Sequence, residues 1–141
     1  MGVTIESKNY AIDLGYGGFF NLRCRVAKLA AGDIGEHYEK LSCAPLFGED
    51  RKSFFKEYDE HISELAEKYN GEMNHVLDFI YKSDCGGTIS PEHCKSIWKV
   101  IKDYDDNILY GYAGRKDCAK FKDFKNIVKD CIDSNCEMEW F

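Results

Sequence analysis

Residues 75–103 read HVLDFIYKSD (75–84), CGGTIS (85–90) and PEHCKSIWKVIKD (91–103). Val76, Leu77, Phe79 and Ile80 give the first segment an apolar face, and Ile97, Trp98, Val100 and Ile101 give the last another. The steps of one, three and four residues suit helices. Ser90 followed by Pro91 is a helix start: the hydroxyl accepts from an orphan N–H, and proline at the first helical position lacks one. The stretch predicts two helices joined by a glycine-containing loop.

That loop partly matches an EF-hand, whose calcium loop needs oxygen ligands at positions 1, 3, 5, 9 and 12 and glycine at 6. With Gly87 at position 6, Asp84 and Ser90 fall at 3 and 9. Lys82 then occupies position 1, Gly86 position 5 and His93 position 12. A cation replaces the first anion and the bidentate carboxylate is gone, so the pair reads as packing helices, with no metal.

Around this pair the chain supports a single compact domain, residues 1–141, a length that can bury one proper core. No apolar run approaches the roughly 20 residues that cross a bilayer, and MGVTIESKNY is too polar for a secretory leader. These features predict a soluble protein with no membrane association, in the cytoplasm. The formal charge of −6 argues against direct nucleic-acid binding, which relies on neutralising phosphates. Seven cysteines without a repeated spacing read as reduced thiols.

Residues 2–14 alternate as two short strands, GVTIE and YAIDL, around the turn SKN, predicting a hairpin. The segment GYGGFF follows, and Gly15, Tyr16, Gly17 and Gly18 form a turn ahead of a helix over about residues 19–31. Such a turn can cradle phosphate on free N–H groups. The full nucleotide fingerprints are absent, so a tight strand-to-helix turn is the plainer reading. Gly32 is expected to end that helix, and Asp33 to cap the next. A loop, CAPLFGED, leads to the longest helical pattern, from Asp50 or Ser53 to Asn70 and Gly71. Phe55, Tyr58, Ile62, Leu65 and Tyr69 form its inward face.

On the same helix Glu57, Glu60, Glu64 and Glu67 recur at steps of three, four and three. At 1.5 Å rise per residue they stand about 4.5 to 6 Å apart along one flank. Phosphates along a nucleic-acid strand have a similar spacing, so the flank can imitate one. Residues 33–72 hold eleven acidic and five basic side chains, a balance of −6 equal to that of the whole chain. The plainer alternative is a solvated face with ordinary pairs, Lys56 with Glu60 and Glu64 with Lys68.

Asp103, Asp105 and Asp106 lack the spaced partners of a cation site. Residues 108–112 read as a third strand, with Tyr110 and Tyr112 as partner-binding anchors. A last helix carries Phe121, Phe124, Ile127, Val128, Cys131 and Ile132 inward. Trp140 and Phe141 are expected to fold back on the core in preference to docking on another chain. Cys85, His93, Cys94, Cys118, Cys131 and Cys136 form no paired zinc knuckles. His37, His61, His75 and His93 sit in no catalytic motif. No catalytic residue, metal or cofactor is nominated.

The segments IESKNYAIDLGYGGFFNLR, SDCGGTISPEHCKSIWKVIKDYDD, YGYAGRKDCAKFKDF and the final MEWF resemble an uncharacterised family of small proteins from phages, prophages and mobile elements of Gram-positive bacteria. The resemblance implies a setting, the host bacterial cell, where small acidic proteins often block host defence. It carries no functional residues.

Together these readings predict an α+β fold, mainly helical, with a small antiparallel sheet of two or three strands. The expected function is a non-enzymatic interaction protein: a phage-type inhibitor of a host defence nuclease or other nucleic-acid-handling protein. Its acidic surface would meet a host protein with a basic surface, in competition with nucleic acid. The alternative is a small-ligand protein or enzyme, taking a nucleotide or phosphate at Gly15, Tyr16, Gly17 and Gly18. Oligomeric state stays open.

Overall fold

In the computed structural model, which describes residues 2–110 and 119–141, strand β1 (Val3–Glu6) and strand β2 (Ala11–Leu14) form the N-terminal hairpin. Val3 faces Leu14 and Ile5 faces Ile12 across the ladder. Alternation decides the faces. Val3, Ile5 and Leu14 are buried, while Thr4 and Asp13 bond to each other on the outside at 2.8 Å.

Helices α1 (Tyr16–Ala30), α2 (Gly32–Glu39) and α3 (Gly48–Lys68) follow, with a 3-10 turn (Lys40–Cys43) after α2. Then come α4 (Asn74–Tyr81), strand β3 (Gly87–Ile89), α5 (Pro91–Ile101), α6 (Phe121–Ser134) and strand β4 (Met138–Trp140). The Ser90 hydroxyl accepts from the His93 amide, with Pro91 in the first helical turn. Asn70 and Gly71, both at positive φ, end α3, and the Gly71 amide returns to the Ala66 carbonyl at 3.1 Å.

The sheet is larger than the two or three strands expected. Four antiparallel strands lie in the order β2-β1-β4-β3 among the described residues. Neither added strand is the expected one at 108–112. There Leu109 makes only an isolated bridge to Lys120, and residues 111–118 lie outside the described residues. The added strands come from CGGTIS, where Gly87, Thr88 and Ile89 pair with β4, and from the final MEW, which fits between β1 and β3. Isolated three-residue strands have no intrinsic stability; these form because each has a paired neighbour and an inward side chain. Ile89, Met138 and Trp140 are those side chains.

The Trp140 ring stands among Phe19 of α1 (centroids 5.7 Å) and Phe79 of α4 (5.8 Å), and Phe79 stacks on Phe124 of α6 at 5.6 Å. Thus α1, α4, α5 and α6 build one core with the inner sheet face. Helix α2 lies close against α1, where a Cβ on Gly35 would fall 2.9 Å from the Lys28 Cα. No helix among the described residues is long and apolar enough to cross a membrane.

Candidate functional site

The longest helix is the least buried. Over the 21 residues of α3 only Tyr58 is buried, and Phe55, Ile62, Leu65 and Tyr69 of the expected inward face are half-buried. Two contacts pin it to α2. Near its C-terminal end Asp33 accepts from Lys68 Nζ at 2.5 Å and from the Tyr69 hydroxyl at 2.6 Å. The Lys68 and Tyr69 hydrogen bonds hold the Asp33 carboxyl below the usual range. At its midpoint Tyr58 stacks on His37 with ring centroids 3.8 Å apart.

Glu57, Glu60, Glu64 and Glu67 are all exposed, on the side of α3 away from Tyr58. Lys68, expected beside Glu64, is drawn to Asp33 instead, and Glu64 lies 3.7 Å from His61. Among the described residues Glu57, Glu60 and Glu67 have no salt-bridge partner, so the Lys56–Glu60 pair does not form. Exposed Asp50, one heptad before Glu57, extends the flank. Just ahead of α3, Leu46 and Phe47 are 80% and 81% exposed. The sequence reading placed these two in a loop and assigned them nothing; two adjacent large apolar residues in a surface loop are the signal.

Tyr110 is not a surface anchor. It is 8% exposed, its ring packs on Phe121 at 5.8 Å, and its amide bonds to the Ala119 carbonyl. Burial pushes its hydroxyl up to about 12. Tyr112, its expected companion, lies outside the described residues.

The glycine segment, expected as a turn ahead of a helix from about residue 19, is itself the start of that helix. Gly15 is the N-cap of α1, and Tyr16, Gly17 and Gly18 form its first turn, because β2 runs straight into the helix. Beside Tyr16 opens a cavity of about 490 Å³ between α1, α2, α3 and the segment after α4. Tyr16, Phe20 and Phe55 contribute aromatic walls, and the Tyr38, Tyr58 and Tyr81 side chains also line it. Burial pushes Tyr38 and Tyr81 up to about 12 and Tyr58 higher still, so all three hydroxyls stay protonated. Tyr58 donates to the Tyr81 oxygen at 3.4 Å, and Tyr81 lies 2.7 Å from His37 Nδ1.

Arg23 also borders this cavity, and it is only 4% exposed. Its guanidinium lies 4.1 Å over the Phe19 ring and donates to the backbone carbonyls of Lys82 (2.7 Å) and Ser83 (3.2 Å). Its Nε is buried with no hydrogen-bond partner among the described residues. No carboxylate lies within ion-pair distance of it among those residues. Burial accordingly lowers its pKa from the ordinary arginine value.

No protein-family model, curated protein or solved structure matches the chain.

The remaining chemistry-bearing residues are dispersed. Among the described residues no three His, Cys, Asp or Glu side chains converge on a common point as metal ligands would. Cys94 and Cys131 are buried together between α5 and α6, and Cys85 is exposed. His75 and His93 stack at 3.9 Å, held by Ser96 and Asp78 respectively. Asp106 pairs with Lys125 of α6, and Asp105 accepts from the Asn107 amide, so two of the three carboxylates at 103–106 are engaged within the fold.

Proposed function

We propose that this is a non-enzymatic interaction protein that presents α3 to a basic surface on a partner protein, in competition with nucleic acid. The observation supporting this is the exposed flank Glu57, Glu60, Glu64 and Glu67, three of whose members have no neutralising cation among the described residues. Carboxylates spaced like phosphates on a helix that gives little to the core match a groove lined by lysine and arginine. Leu46 and Phe47, exposed at the start of the same helix, supply an apolar anchor of the kind that carries interface energy. The resemblance to phage and mobile-element proteins makes the proposed partner a host defence nuclease or another nucleic-acid-handling protein. The bacterial cytoplasm is then the place of action.

The test is capture of partners from a nuclease-treated Gram-positive lysate, compared between wild type and the E60K/E64K double variant. A nucleic-acid-handling protein released by a salt step and lost with the double variant is the expected result. Equal capture by both would remove the acidic flank from the function.

A further inference from the structure

We infer that the cavity beneath α3 is a binding site for a small planar aromatic anion, about the size of a nucleoside monophosphate. This is independent of the acidic flank and goes beyond the partner-binding role.

The volume, about 490 Å³, lies within the range of small-ligand sites. Three observations define the ligand class. First, aromatic side chains from three helices face the space: Phe20 on α1, Tyr38 on α2, and Phe55 with Tyr58 on α3. Phe20 and Tyr38 are already stacked, with centroids 5.1 Å apart. Such walls favour a flat ring. Second, Arg23 supplies a desolvated positive charge with no carboxylate in ion-pair distance among the described residues, although Asp84 and the Tyr38 hydroxyl act on it from the same lining. Its two carbonyl contacts fix the guanidinium plane without neutralising it, while Nε is closed off from the cavity. A buried cation at a cavity wall is costly unless an anion comes close to it. Third, the Tyr38, Tyr58 and Tyr81 hydroxyls, all protonated, are neutral hydrogen-bonding groups that do not repel that anion. Asp59 and Asp84 also line the cavity and can accept from sugar hydroxyls or a ring amino group.

Both a nucleotide and an aromatic carboxylate carry this chemistry. The probes are therefore 5′-AMP and 5′-UMP beside adenosine and uridine, and 4-hydroxyphenylacetate beside its neutral amide. Binding is read by calorimetry, thermal shift and tryptophan emission. Trp140 reports on the site because its ring lies 5.2 Å from the Arg23 guanidinium, and its Nε1 shares the Ser83 carbonyl with Arg23.

The expected result is one-to-one binding of at least one anionic probe, with changed tryptophan emission. Its neutral counterpart should bind about tenfold or more weakly, the fold-change a charge-assisted hydrogen bond supplies. Nucleotide binding alone assigns a nucleotide site, and carboxylate binding alone an aromatic-acid site. Arg23→Met should abolish the preference for charge. Ile62→Trp, on the half-buried face of α3, should fill the space and block binding without touching the Arg23 contacts. That keeps the test valid if Arg23→Met fails to fold. No binding by any anionic probe up to about 1 mM, equal binding of charged and neutral forms, or undiminished binding to Ile62→Trp would each overturn the proposal.

Discussion

Gly87 passes so close to the Trp140 indole that a Cβ on it would lie 2.5 Å from the ring's Cζ2. The ring cannot move away, because it is packed against Phe19 and Phe79 and its Nε1 donates to the Ser83 carbonyl at 2.9 Å. Gly87→Ala should therefore destabilise the protein by about 1–3 kcal/mol, the cost of overpacking a filled core, measurable by urea denaturation. His37 sets a different limit. It is 4% exposed, between Tyr58, Tyr81 and His61, with Lys40 and Asp59 nearby, and burial holds its pKa below the ordinary 6.5. The unfolded chain then takes up the proton more readily than the folded one. The penalty is absent above about pH 6.5, grows as pH falls below it, and levels off once folded His37 is itself protonated. Melting temperature between pH 7.5 and 4.5 should fall more steeply for wild type than for His37→Phe. Parallel curves would show that His37 is not responsible.

At the scale of elements, α3 stands apart: its one fully buried side chain and the Asp33 latch are small holdings for 21 residues. Amides of α3 should exchange with deuterium well before those of α5 and α6. Asp33→Ala, which frees Lys68 and Tyr69 together, should speed exchange at the α3 C-terminal end while leaving α6 unchanged. Uniform acceleration would mean that the latch holds the whole fold. The sequence made such elements legible to different degrees. The start of α5 was readable from Ser90 and Pro91 because a cap is a local device. The pairing of 87–89 was not readable, since two glycines and a cysteine look like a loop until β4 arrives from the far end of the chain. Tyr110 was not legible because a tyrosine on a short strand can face core or surface, and which it faces depends on Phe121, distant in sequence. Arg23 leaves a trace in the sequence. It shares a face with Phe19, Leu22, Val26 and Ala27, and a charge on that apolar stripe marks a buried cation. The acidic flank was readable, but its loss of Lys68 to Asp33 was not.

For the whole molecule, Trp140 is where the sheet, α1 and α4 converge. Its removal in Trp140→Ala should cost about 3–5 kcal/mol, a large share of the roughly 5–15 kcal/mol typical of such domains. Circular dichroism melts would then show a much lower transition with helix content retained below it. The pairing of β1 with β4 has a mechanical side as well. The Thr4 amide donates to the Phe141 carbonyl, the Phe141 amide returns to the Thr4 carbonyl, and Ile5 lies opposite Trp140. Tension applied through these two ends of the chain enters the ladder from one side and loads its hydrogen bonds in succession, as a zipper opens. Shear would load them all at once. An optical-trap pull through residues 2 and 141 should therefore peel β1 from β4 first, at low force, whatever the protein's resistance to heat or urea. A molecular machine that tugs on these strands would open the centre of the sheet one hydrogen bond at a time.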